Sequence, residues 1–121
     1  MMMKKVLFVA MGLVLVSCAE KKPLSEAEQW QGYCVSVGNA ARSITLDRQN
    51  GIDKKQAIDY ANEIEDKTTH KFISEIIEYV YTIPADQLKA DPDALREQLK
   101  QKFTAQCVAT PHDALPKYKQ F

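Results

Sequence analysis

The chain is poor in the residues that active sites most often use. Its 121 residues include four glycines, two histidines and one tryptophan. None of the glycines falls in a spacing that would cradle a phosphate. The histidines, His70 and His112, stand in different segments, whereas a zinc site needs three or four converging ligands. No metal and no cofactor is therefore expected. The three cysteines contain no Cys-x-x-Cys pair, which excludes the usual dithiol redox centre. Ser36, Ser43 and Ser74 fall inside helical patterns and lack the G-x-S-x-G turn that exposes a nucleophile. The sequence reads as a non-enzyme.

An excess of charge of either sign is also missing. Sixteen basic residues balance sixteen acidic ones. With Lys4 and Lys5 set aside, 14 basic residues remain against the 16 acidic, a net charge of −2. A nucleic-acid binder shows a basic stripe interleaved with aromatics, and no such stripe is present, so no nucleic-acid partner is expected. Nor is there an apolar run long enough to cross a bilayer. The longest, Val6 to Val16, spans about 16 Å as a helix, half of a hydrocarbon core of about 30 Å.

That short run has a meaning of its own. Preceded by Lys4-Lys5, it has the form of a signal-peptide core, and Leu15-Val16-Ser17-Cys18 follows it. The tetrapeptide resembles the lipobox of bacterial lipoproteins, with an aliphatic residue, a tolerant position, a small residue and then cysteine. The resemblance implies cleavage before Cys18, acylation of its thiol and anchoring by two or three chains. Ala19, rather than Asp, after the cysteine resembles the pattern sorted to the outer membrane, facing the periplasm. The competing reading is ordinary secretion, since Ser17-Cys18-Ala19 also fits cleavage after Ala19. The expected organisation is a signal peptide over 1–17, a lipidated tether over 18–24, a helical domain over 25–110 and a loose tail over 111–121. Removal of residues 1–17 from the 121 leaves 104, one domain with a modest core. The tether from Ala19 to Leu24 reaches about 20 Å when fully extended, which would hold the domain close to its membrane.

With Cys18 assigned to lipid, Cys34 and Cys107 remain in an oxidising compartment. An even pair there reads as one disulfide, with two separate buried thiols as the alternative. Closing a loop of about 73 residues would stabilise the fold by roughly 4 kcal/mol on the chain-entropy model.

The rest of the pattern is helical. Ser25-Glu26-Ala27-Glu28 is a capping box, after which Trp30, Cys34, Val37, Ala41 and Ile44 draw one apolar face. Asn50-Gly51 stops this helix, and Gly38-Asn39 is the expected kink or break. Asp53-Lys54-Lys55-Gln56 is a second capping box, starting a helix that would bury Ala57, Ile58, Ala61 and Ile64. Asp66 to Thr69 breaks it, with a threonine as the next N-cap. A third helix then runs from about His70, presenting Phe72, Ile73, Ile76, Ile77 and Val80, and ends before Pro84. Tyr79 to Ile83 favours strand by composition, but the helical spacing up to Val80 decides against it. Asp91-Pro92 opens a last helix with Leu95, Leu99, Phe103 and Cys107 in one row. The fold class is all-α, a small bundle of about four helices with a short turn at Ala85–Lys89 and a disulfide joining the first helix to the last.

Two features invite a partner. Asp59, Glu63 and Asp66, spaced i, i+4, i+7, would share one face of the second helix, as a docking patch for a basic partner or simply as a solvated acidic face; Glu75 and Glu78 could extend it. Trp30 and Tyr33 lie just past the tether, where they could meet a partner or the headgroup region; core packing is the default reading for them and for Tyr79 and Tyr81.

Between Tyr33 and Cys107 the chain carries Arg48-x-x-Gly51, Ile76-Ile77-x-x-Val80-Tyr81-x-x-Pro84 and Phe103-x-x-x-Cys107. This pattern resembles small two-cysteine helical proteins exported by proteobacteria, among them immunity proteins against periplasmic amidase toxins of type VI secretion. Small acid-stress chaperones are similar in size and cysteine number, with cysteines closer together. The resemblance implies a stapled bundle acting by binding, as a membrane-anchored interaction module, an immunity protein or a stress chaperone.

Overall fold

The computed structural model describes residues 23–114 and 117–121. The expected leader, Cys18 and the expected tether as far as residue 22 lie outside them. Five α-helices are found among the described residues, and no strand: α1 Glu26–Gln49, α2 Lys54–Asn62, α3 Lys67–Val80, α4 Ala85–Ala90 and α5 Pro92–Ala109, followed by a 3₁₀ turn at His112–Ala114.

Local signals place the helix ends. Ser25 and Glu28 exchange their capping-box bonds, Glu28 N–H donating to the Ser25 hydroxyl at 3.1 Å and Ser25 N–H to the Glu28 carboxylate at 3.0 Å. Asp53 and Gln56 repeat the device at the start of α2. Gly51, at φ 92°, ends α1 in a Schellman arrangement, with Ile52 N–H on the Asp47 carbonyl and Gly51 N–H on that of Arg48, both at 3.0 Å. The expected turn at Ala85–Lys89 is the helix α4, which buries Leu88.

Helix α1 is the spine. It buries Trp30, Tyr33, Cys34, Val37, Gly38, Ala41 and Thr45. Helix α5 runs antiparallel along it, joined by the Cys34–Cys107 disulfide, whose Cα atoms lie 5.3 Å apart. Helix α3 packs on another side of α1, contributing Phe72, Ile73, Ile76, Ile77 and Val80 to the same core, and α2 covers part of α3. Leu99, Phe103 and Cys107 of α5 are buried and Leu95 is partly so, as their four-residue row predicts. Arg48 donates to the Val80 carbonyl at the end of α3 and lies over the Tyr81 ring, while the Tyr81 hydroxyl donates to the Ile52 carbonyl at 2.7 Å. Arg48, Gly51, Val80 and Tyr81 thus form one structural junction.

Three expectations need correction. Helix α1 does not kink or break at Gly38-Asn39 but continues through it. The glycine is there for closeness: a Cβ on Gly38 would lie 1.8 Å from Thr104 Oγ1 and 2.7 Å from the Lys100 carbonyl oxygen. The N-cap of α3 is Asp66 rather than a threonine, its carboxylate accepting the Thr69 N–H at 3.0 Å. Thr68 and Thr69 are instead buried inside the first turn. Finally, the tail is not loose. Residues 117–121 return to α1, where Tyr118 packs its ring 4.6 Å from that of Tyr33 and Phe121 lies 5.2 Å from Tyr33.

Gly38→Ala is expected to force α1 and α5 apart and to destabilise the domain by about 1–3 kcal/mol, as overpacking does. Urea unfolding of wild type and variant measures it. A variant equal in stability would show that the contact has room to spare.

Candidate interaction groove

Most polar residues singled out from the sequence have structural partners. His70 stands in the first turn of α3 with Nε2 3.3 Å from Asn62 Oδ1. The His112 ring lies tilted against Trp30, 5.8 Å between centroids, rather than in a free tail. Ser36 donates to the Phe121 main-chain oxygen. Among the described residues no group of three His, Cys, Asp or Glu side chains converges as a metal site would.

The acidic trio is also divided. Helix α2 ends at Asn62, so Asp59 lies on it, Glu63 is its C-cap and Asp66 is the N-cap of the next helix. They do not share one helix face, because the helical period stops before the second of them. Glu78 is paired with Lys54 at 2.9 Å and Glu75 with Lys71 at 3.7 Å. Such exposed pairs contribute little stability but blunt the patch's field. Of the aromatics, Trp30 and Tyr33 are core residues and therefore do not face a membrane; their rings stack at 5.2 Å. Trp30 also donates its indole N–H to the Cys107 carbonyl at 3.2 Å.

Asp66 is the most committed carboxylate. Burial pushes its carboxyl up, but N–H bonds from Thr69, Lys119 and Thr68 and the Thr69 hydroxyl outweigh that and hold it below its ordinary range. The Lys119 N–H reaches it at 2.6 Å, from the returning tail. On the other side, the Tyr33 hydroxyl is 2.8 Å from the Thr69 hydroxyl. A continuous polar chain therefore runs from Tyr33 through Thr69 and Asp66 to Lys119, tying α1, α3 and the tail together. Burial pushes the Tyr33 phenol up to about 12.

Next to this tie lies a half-open groove of about 1350 Å³ between α1, α2, α3 and the tail. Helix α1 lines it with a polar row, Ser36, Asn39, Ser43 and Asp47, whose spacing repeats roughly once per helical turn, and with Ala40 and Ile44 between them. The rest of the lining mixes apolar Ile52, Tyr60, Ile64, Ile73 and Ile77 with polar Gln56, Glu65 and Lys67. Three large apolar residues at its edge are exposed, Ile52 at 37%, Tyr60 at 67% and Phe121 at 50%. Exposed apolar surface gathered at one concavity is the usual mark of a binding face. The sequence reading missed this groove. The Ser36, Asn39, Ser43, Asp47 row was visible at helical spacing, but nothing in it showed what would stand opposite.

Comparison with protein families, with curated proteins and with solved structures finds no match to this chain. The groove must be interpreted from its own chemistry.

Asp66→Ala is expected to remove a helix cap worth about 1 kcal/mol and to free the tail, shifting the fluorescence of Trp30, the single tryptophan, as Tyr118 leaves it. The same contribution depends on acid. Because folding depresses this carboxyl, its stabilisation is complete above the ordinary value of 3.8 and is lost as pH falls below that through the folded value. Acid titration followed through Trp30 should show this step in the wild type and not in Asp66→Ala.

At the other end of the scale, Tyr33 has its folded value raised. Its stabilisation is complete below the ordinary value of 10.0 and is lost as pH rises towards about 12. Tyr33→Phe should flatten the loss of stability over that alkaline window. An unchanged slope would place the alkaline sensitivity elsewhere.

Proposed function

We propose that this chain is a lipid-anchored protein of the bacterial envelope, carried on Cys18 at the outer membrane and facing the periplasm, and that it acts by binding a protein partner rather than by catalysis. The observation that carries the anchoring is the bond between Cys34 and Cys107. With those two joined to each other, Cys18 is left over from the disulfide, at the one place where a lipobox puts an acylated cysteine. The bond also suits an oxidising compartment, where exported domains of this size use such staples.

Binding as the mode of action rests on the groove. Its polar groups include hydroxyls and an amide, which hydrogen-bond a partner without needing to titrate. The apolar residues of the same groove, Ile52, Tyr60, Ile64 and Phe121 among them, supply the burial that affinity requires. A tether of a few residues would keep this face near the membrane, where a partner of the same envelope layer can reach it.

Mass spectrometry of the mature protein from cells is expected to find acyl chains on an N-terminal Cys18. Cys18→Ala should move the protein out of the membrane fraction. A free N-terminus at Glu20 would overturn the anchoring and leave a secreted domain.

A further inference from the structure

The returning tail shows how the groove could be filled. Its residues step along α1 in the direction of that helix. The Gln120 amide donates to the Gln29 carbonyl at 2.8 Å, and the Phe121 main-chain oxygen accepts from Ser36, two turns further on. Ser36 is the first member of the polar row. Asn39, Ser43 and Asp47 continue it beyond Phe121, and among the described residues their side chains have no hydrogen-bond or ionic partner. The tail thus occupies the first rung of a ladder whose later rungs are open.

We propose, building on the binding role given above, that the groove receives an extended peptide segment of the partner protein, which continues the path of the tail along α1. A hydroxyl and a primary amide each donate and accept, so Ser43 and Asn39 can bond the C=O and N–H groups of a passing main chain whatever its side chains are. Alternate residues of an extended segment point to opposite sides. One set would pack on the accessible apolar lining at Ile52, Tyr60 and Ile64, while the other would face solvent. Specificity therefore comes from aliphatic or aromatic side chains at every second position, with a basic residue where Asp47 ends the row. From Ser36 to Asp47 the helix rises about 16 Å, the length of about five extended residues. A lipid acyl chain suits the apolar lining residues but not the ladder. It would strip water from Asn39 and Ser43 and offer them no hydrogen bond in return, which is unfavourable for each group.

The position of Phe121 permits an intramolecular test with residues 1–121. Leu-Thr-Leu-Thr-Lys is added after Phe121 in one protein and Gly-Ser-Gly-Ser-Gly in another, and thermal unfolding is compared. The apolar extension is expected to raise Tm by several degrees over the Gly-Ser extension. Asn39→Ala with Ser43→Ala should remove most of that gain. Both positions are exposed, and comparing the two extensions within each background cancels any effect of alanine on the helix itself. Laurate added to the unextended chain serves as the acyl probe and should leave Tm unchanged. Equal Tm for the two extensions, or a gain that survives the double alanine change, overturns the peptide mode. Stabilisation by laurate without any gain from the apolar extension would replace the peptide with an acyl chain while keeping the groove as a binding face. No response to either would remove both readings of the groove, with the anchoring at Cys18 judged separately by mass spectrometry.

Discussion

The close antiparallel approach of α5 to α1 governs the rest of the fold. At Gly38 the two backbones come so near that no side chain fits between them, and four residues earlier Cys34 is bonded to Cys107. A domain of this size has few residues to spare for a core. Pressing two long helices together at a glycine, and stapling them, lets short side chains do what a larger protein does with bulk. The disulfide closes a loop of 73 residues, which on the chain-entropy model amounts to roughly 4 kcal/mol of stabilisation. With α1 fixed on that side, α3 finds its place on another and closes the core around Tyr33, Val37, Ile76 and Ile77.

A second, weaker tie completes the enclosure. Asp66 caps α3 and holds the Lys119 N–H, while Thr69 links it to the Tyr33 hydroxyl. One carboxylate therefore starts a helix and fastens the tail. This economy couples the tail to protonation at low pH and to the integrity of the first turn of α3. The tail in turn forms one end of the groove, so the shape of the groove depends on a hydrogen-bonded strap and not only on packed helices. The core staple is covalent; the wall of the groove is not.

How much of this could be read from residue order depends on range. The caps at Ser25, Asp53 and Asp91 were legible because each is settled within four residues, and so was the stop at Asn50-Gly51. The apolar faces of α1, α3 and α5 were legible from their spacing. Gly38 was misread, since a glycine within a helical pattern looks the same whether it permits a kink or admits a neighbour. Asp66 was misread for a related reason: its row with Asp59 and Glu63 has helical spacing, but the helix stops at Asn62. The tail looked loose because its anchors, Tyr33, Ser36 and Asp66, lie more than fifty residues away.

By itself the sequence determined the helical class and most of the helix ends, and it offered the Cys34–Cys107 bond as the first of two readings, because each of these rests on neighbouring residues or on counting. The tertiary structure alone decided where the backbones touch, which carboxylate is committed, and that the polar row on α1 lines a groove shared with α2, α3 and the tail. Those facts join residues far apart in the chain, and no local period encodes the distance between one helix face and another.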